Sequence, residues 1–225
     1  PMSWCDLNGN TIVESPDVVL AQVPKAPFGK SLEGRQFKFI LPHAKITLGD
    51  GTQRLIFAGF ALAFLIKMPA FLVQGWMPDA YGQMPLPALA VFSAVLSKVA
   101  AYGFLRVVLP IYPDATVHFQ ELILVIATAS ILYGSAQAFS QRDARLVAGY
   151  SSVAQLGFIT LGIFALDPQG AQGALLQMLN HALVSAPLFF FVAALAARAG
   201  GSEKLSEMGG IAFRAPVLAA LFLLV

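Results

Sequence analysis

The chain has 225 residues, 57% of them hydrophobic and only 12% charged, with a net charge of +2 and a mean hydropathy of +0.72. A soluble domain carries about twice that charged fraction, and the sparse, scattered basic residues exclude a nucleic-acid surface. The single cysteine, Cys5, excludes an intramolecular disulfide and any cysteine-based metal cluster.

Residues 1–54 differ from the rest of the chain. They are polar and rich in Pro and Gly, and their charges nearly cancel: Lys25, Lys30, Arg35, Lys38 and Lys45 stand against Asp6, Glu14, Asp17, Glu33 and Asp50. Asn8-Gly9-Asn10 and Gly49-Asp50-Gly51 are turn signals. Phe37–Ile46 reads as either a short strand or an interfacial segment. We expect a solvent-facing insertion here, with no catalytic pattern. Apolar runs begin at residue 55: Leu55–Val73, Pro87–Leu109, His118–Phe139, Leu146–Leu166 and Gln172–Ala197, with Pro216–Val225 opening a sixth. Each complete run approaches the roughly 20 residues that a helical span needs. Transmembrane strands would alternate polar and apolar residues, and these runs do not. The expected fold is therefore all-α, a polytopic bundle of five spans and the start of a sixth over residues 55–225. The last run is cut short and no signal peptide opens the chain, so an internal fragment of a longer protein is expected.

The links alternate in charge. Ser140–Arg145 carries two arginines, and Arg198–Arg214 carries Arg198, Lys204 and Arg214. Pro110–Val117 and Asp167–Ala171 carry only Asp114 and Asp167. Positive charge near span ends marks the cytoplasmic side, which places residues 1–54 outside.

Two lysines fall near the middle of these runs, Lys67 and Lys98. A lysine at a span centre costs about 2.5–3.5 kcal/mol on the insertion scale. Either each pairs structurally with a carboxylate of another helix, or it serves an ion path, the usual reason for an ionisable group at that depth. Pro69 cannot donate to the carbonyl of Leu65 and its ring clashes there, so the helix should break beside Lys67. Broken helices at membrane depth are tolerated where protein or water covers the freed carbonyls, and transporters build ion sites on them. Lys98, by contrast, lies in a run without a breaker. His181, with Asn180 before it and Pro187 after it, reads as a relay group or as a hydrogen-bonded packing histidine. Ser151, Ser152 and Gln155 read equally as interhelical hydrogen bonds or as a water-lined path. Glu121 and Arg106 sit near span ends, where both reach the interface. No nucleotide, flavin, metalloprotease or Ser-His-Asp pattern is present, so no cofactor or metal is expected on this chain.

Ala63–Pro85 (AFLIKMPAFLVQGWMPDAYGQMP) resembles the signature of the antiporter-like membrane subunits of respiratory complex I. Leu96–Leu109 (LSKVAAYGFLRVVL) resembles their next helix with its lysine. Gln141–Gly157 (QRDARLVAGYSSVAQLG), Gln177–Ser185 (QMLNHALVS) and Met208-Gly209-Gly210 resemble the succeeding elements of those subunits. Lys67-Met68-Pro69 and Tyr102–Arg106 are most similar to the subunit M branch; the wider family takes in Mrp-type antiporter and membrane-bound hydrogenase subunits. The resemblance implies a fourteen-helix fold with two inverted five-helix repeats, of which this chain would hold helices seven to eleven and the start of twelve. It implies Lys67 as the first-half-channel lysine, Lys98 as the bridging lysine and His181 as the second-half-channel histidine. Two departures stand out. Phe71–Trp76 lacks the Pro and His usual before that Trp, and Gln155 stands where many relatives of that branch have a histidine. An amide passes a hydrogen bond but does not titrate.

The function implied is proton translocation within NADH:quinone oxidoreductase, in a bacterial inner membrane. NADH, FMN, iron–sulfur clusters and quinone would reside in partner subunits, and this chain's partners would be other complex I membrane subunits, the lipid bilayer and protons. The alternatives are an Mrp-type cation/proton antiporter or hydrogenase subunit, and a non-pumping structural subunit.

Overall fold

The computed structural model describes residues 49–210, 213 and 215–224, with four short strands nearer the N-terminus. β1 (Trp4–Cys5) pairs antiparallel with β2 (Ile12–Val13), and β3 (Phe39–Leu41) with β4 (Ala44–Ile46). The second ribbon realises the strand alternative for Phe37–Ile46. The other residues before 49 lie outside the described residues, and with them most of the expected insertion.

From Asp50 onward the structure is helical: α1 (Asp50–Lys67), α2 (Met77–Gln83), α3 (Leu86–Ile111), α4 (Pro113–Ser140), α5 (Ala144–Phe164), α6 (Pro168–Arg198) and α7 (Pro216–Leu224). α3 to α6 are each long and apolar enough to cross a membrane. They match the second to fifth apolar runs within a few residues, and the chain is an all-α membrane bundle. The first run differs. It forms α1, an irregular stretch over residues 68–76 and the short α2, so the element continues past Val73, where the apolar run stops.

Local chemistry sets the ends. Proline opens α4 and α6 at the first helical position, where no N–H is required. Asp167 caps α6, its carboxylate accepting from the N–H groups of Gln169 (2.7 Å) and Gly170 (3.2 Å). Hydroxyls inside the spans fold back onto carbonyls one turn earlier, as with Thr128 on Leu124, Ser130 on Ile126 and Thr160 on Leu156. Each thereby has a partner where a membrane offers no water.

α5 is the centre of the bundle. It packs against α4 on one side and α6 on the other, and α2 rests on it. Glycine permits the first contact. A Cβ on Gly134 would stand 2.7 Å from the amide nitrogen of Ala154, and one on Gly157 would stand 2.9 Å from the carbonyl oxygen of Ala127. Small residues let membrane helices approach this closely, where lipid supplies no hydrophobic drive for association. The first part of α3 lies along α6, and its middle meets α1. Aromatic contacts fill that corner, with Phe64 edge-on to Phe104 (5.2 Å) and Phe104 edge-on to Phe164 (5.1 Å).

Candidate functional site

α1 ends at Lys67, and the backbone around it is re-satisfied by substitutes. Met68 N–H donates to Phe64 (2.8 Å). Pro69 has no N–H, so the Leu65 carbonyl accepts instead from Ala70, five residues on (3.0 Å). The Ile66 carbonyl accepts the indole N–H of Trp76 (3.0 Å). The Phe71 N–H donates to Ser130 Oγ of α4 (2.8 Å), which ties the irregular stretch to a neighbouring helix. Leu72 takes a positive φ of 80° within it, a conformation that side chains other than glycine rarely adopt. Lys67 itself is exposed on this chain, and no ion pair or hydrogen bond joins it to Lys98 or His181 among the described residues.

Lys98 is only 6% exposed. α3 is continuous, as a run without a breaker predicts, but its winding is not uniform. Two π-helical turns, Phe92–Leu96 and Phe104–Val108, flank the α-helical turn that carries Lys98. Such turns concentrate at functional positions. The Ser93 carbonyl, at the first of them, accepts both Ser97 Oγ (2.7 Å) and the Lys98 ammonium. The Ser93 hydroxyl lies near the buried Tyr81 of α2 and meets Ser152 Oγ of α5 at 3.5 Å, the edge of hydrogen-bonding range. Ser93 thus joins α2, α3 and α5 below the lysine.

His181, Ser151, Ser152 and Gln155 come together. They line one cavity of about 160 Å³ between α5 and α6, with Gln177, Asn180 and Ser185 adding polar walls. His181 is buried, and its Nδ1 has no hydrogen-bond partner among the described residues. Lys98 lies within electrostatic reach of it. Ser152 bonds within its own helix, and its contact with another helix is the one to Ser93. It donates to the Ala148 carbonyl (3.0 Å) and it faces the cavity. Gln155 accepts from Gln177 Nε2 at 2.6 Å. No sequence pattern singles out Ser93, Tyr81 or Gln177. Gln177 is visible in hindsight, four residues before His181 on the same helical face.

In the sequence Arg145 is only a topological marker. In the fold its Nη1 donates to the carbonyls of Tyr81 (3.0 Å), Gly82 (3.0 Å) and Met84 (2.8 Å), closing the C-terminus of α2. Its Nε donates to Glu203 Oε2 (2.6 Å), and Nη2 pairs with the other carboxylate oxygen. Two backbone bonds, Ala144 N–H to Glu203 and Leu205 N–H to Arg142, strap the link after α6 onto the link before α5. Both arginine-bearing links therefore share one end of the bundle.

Comparison with known proteins agrees with this architecture. Residues 32–225 match the transmembrane family described as NADH:quinone oxidoreductase/Mrp antiporter. NADH-quinone oxidoreductase subunit M of Rhodobacter capsulatus is 38% identical over 191 residues, covering 82% of this chain and 37% of that protein. NAD(P)H-quinone oxidoreductase chain 4 2 of Thermosynechococcus vestitus is 39% identical over 168 residues, covering 75% and 31%. Among solved structures, a chain of respiratory complex I from Thermus thermophilus with bound NADH superimposes with a TM-score of 0.73 at 33% identity, covering 79% of this chain and 38% of that one. A chain of the Mrp complex from Dietzia sp. does so with a TM-score of 0.68 at 26% identity, covering 77% and 31%. The chain thus spans less than two fifths of the length of each. Since the family match runs over nearly all of its described residues, the chain belongs to the NADH:quinone oxidoreductase/Mrp antiporter transmembrane family, as an antiporter-like membrane subunit of the complex I type.

Proposed function

We propose that the chain is part of a proton-translocating subunit of NADH:quinone oxidoreductase, in which protons pass along Lys67, Lys98 and His181. Quinone reduction takes place elsewhere in the complex, and the redox groups belong to partner subunits. The observation that carries the reading is the polar chain through α3, α5 and α6. The Lys98 ammonium bonds the Ser93 carbonyl, and the hydroxyl of the same residue stands 3.5 Å from Ser152 Oγ, which lines the His181 cavity, so the groups are neighbours between which water would carry the proton. Several polar groups face a space of this size, which suits hydrogen-bonded water, and water is the ordinary carrier between titratable side chains. Lys67 joins from the helix break at the end of α1. The arginine-bearing links face the cytoplasm by the positive-inside rule, with residues 1–54 on the opposite side of a bacterial inner membrane.

The test is NADH-driven proton uptake by inverted membrane vesicles that contain the assembled complex. Lys67→Ala and Lys98→Ala should each remove or sharply lower uptake while assembly survives. Uptake at the wild-type rate in both would make the lysines structural. Likeness to the Mrp complex supports a second reading, cation/proton antiport without redox partners. That reading predicts exchange driven by a sodium gradient and no dependence on NADH.

A further inference from the structure

The α5–α6 seam holds two cavities. One surrounds His181. The other is an open hollow, further along the seam toward Phe164 and Pro168, with the exposed Phe158 and Gly173 and the half-buried Gly162 in its lining. The lining residues common to both are Gln155 and Gln177, and these two are hydrogen-bonded to each other at 2.6 Å. We propose that the Gln155–Gln177 pair is a gate that separates the His181 cavity from the second cavity and opens to let a water chain connect them. The inference rests on the translocation reading above, and it names the positioning residues that control one segment of the path.

The chemistry favours a gate over a relay. A carboxamide donates and accepts hydrogen bonds but does not titrate near neutral pH. A closed amide pair therefore holds back a proton, and conduction needs water in place of the amide contact. Both side chains are only partly buried, and each has a cavity beside it into which it can turn. Once parted, each amide finds water as its new partner, so the contact is exchanged rather than lost. The pair bridges two helices that pack along each other, so its bond is made or broken by the relative placement of α5 and α6.

The experiment uses the assembled complex in sealed vesicles and two readouts, NADH-driven proton uptake and the passive collapse of an imposed pH gradient. Gln177→Met keeps the length of the side chain and removes its donor and acceptor, so it plugs the constriction with apolar atoms. Uptake should fall at least about fivefold, the factor that corresponds to one neutral hydrogen bond, with the passive leak unchanged. Gln177→Ala removes the barrier, and the passive collapse should accelerate about fivefold on the same scale. A merely structural glutamine would not move the two readouts in opposite senses. Gln155→Met serves as the second blocking variant if Gln177→Met fails to assemble. Wild-type uptake and leak in the glutamine variants, beside a Lys67→Ala complex that does not pump, would overturn the gate alone. A Lys67→Ala complex that pumps at the wild-type rate would overturn the translocation reading. The leak measured for Gln177→Ala requires no pumping, so it decides the gate in either case.

Discussion

The surroundings of Lys67 and Lys98 solve the same backbone problem in two ways. Each lysine sits where the regular α-helical ladder is interrupted inside an apolar segment. At Lys67 a proline stops the helix outright, and the loosened carbonyls find donors from outside the ladder: an amide five residues on for Leu65, and an indole for Ile66. At Lys98 the helix continues, but π turns on either side change its register, and the lysine itself caps the Ser93 carbonyl. One site is exposed on this chain, while the other is 6% exposed. The difference teaches that a helix can stop at its lysine and hand its carbonyls to donors outside the ladder, or continue past a buried lysine with altered winding on either side.

The comparison can be broken most directly by replacing each lysine with arginine, which does not give up its proton in proteins. Lys98→Arg should lower NADH-driven proton uptake about tenfold or more, as far as Lys98→Ala does, because a buried relay group must cycle its charge. Lys67→Arg should lower uptake comparably, because a relay lysine at the helix break must release its proton too. Wild-type uptake in either variant would mean that the lysine at that position does not cycle its charge.

The next effect concerns the outside donor. Trp76→Phe keeps an aromatic ring but leaves the Ile66 carbonyl without its indole, and should destabilise the subunit by about 1–3 kcal/mol. Thermal unfolding of the purified complex, followed through dissociation of this subunit, reads that loss. A midpoint unchanged from wild type would show that the break needs no such substitute. Gly134→Ala should cost about 1–3 kcal/mol by overpacking the α4–α5 contact, measured the same way. It should leave the ratio of protons moved to NADH oxidised unchanged, because it touches neither lysine. The smallest effect belongs to Ser152→Ala. It deletes one hydroxyl between Ser93 and the cavity, and should cost about 0.5–1.5 kcal/mol in stability. It should also slow uptake measurably if the Ser93–Ser152 step carries protons, and leave the rate alone if it does not.

Much of the fold was legible because the bilayer imposes a simple rule. A segment must be long and apolar to span it, and four of the runs became α3 to α6 within a few residues. Pro69 announced an interruption next to Lys67, since a missing N–H is a covalent fact that no tertiary contact can restore. The π turns were not legible. Phe92–Leu96 and Phe104–Val108 contain no residue that forbids an α-helix, and the two turns fall where α3 meets α6 and α1. The role of Arg145 was equally hidden, because its carbonyl partners on α2 lie about sixty positions away in sequence.

The sequence by itself therefore determined the membrane class, the spans, the location of the helix break and the identity of the out-of-place ionisable groups. These depend on composition, periodicity and covalent structure, all of which are local. Only the tertiary structure decided that Lys98 rests on Ser93, that Ser152 and His181 share a cavity, and that Gln155 meets Gln177 at its far end. Those facts depend on the rotation and depth of one helix against another. Those in turn follow from close contacts such as Gly134 against Ala154, which bring together residues distant along the chain.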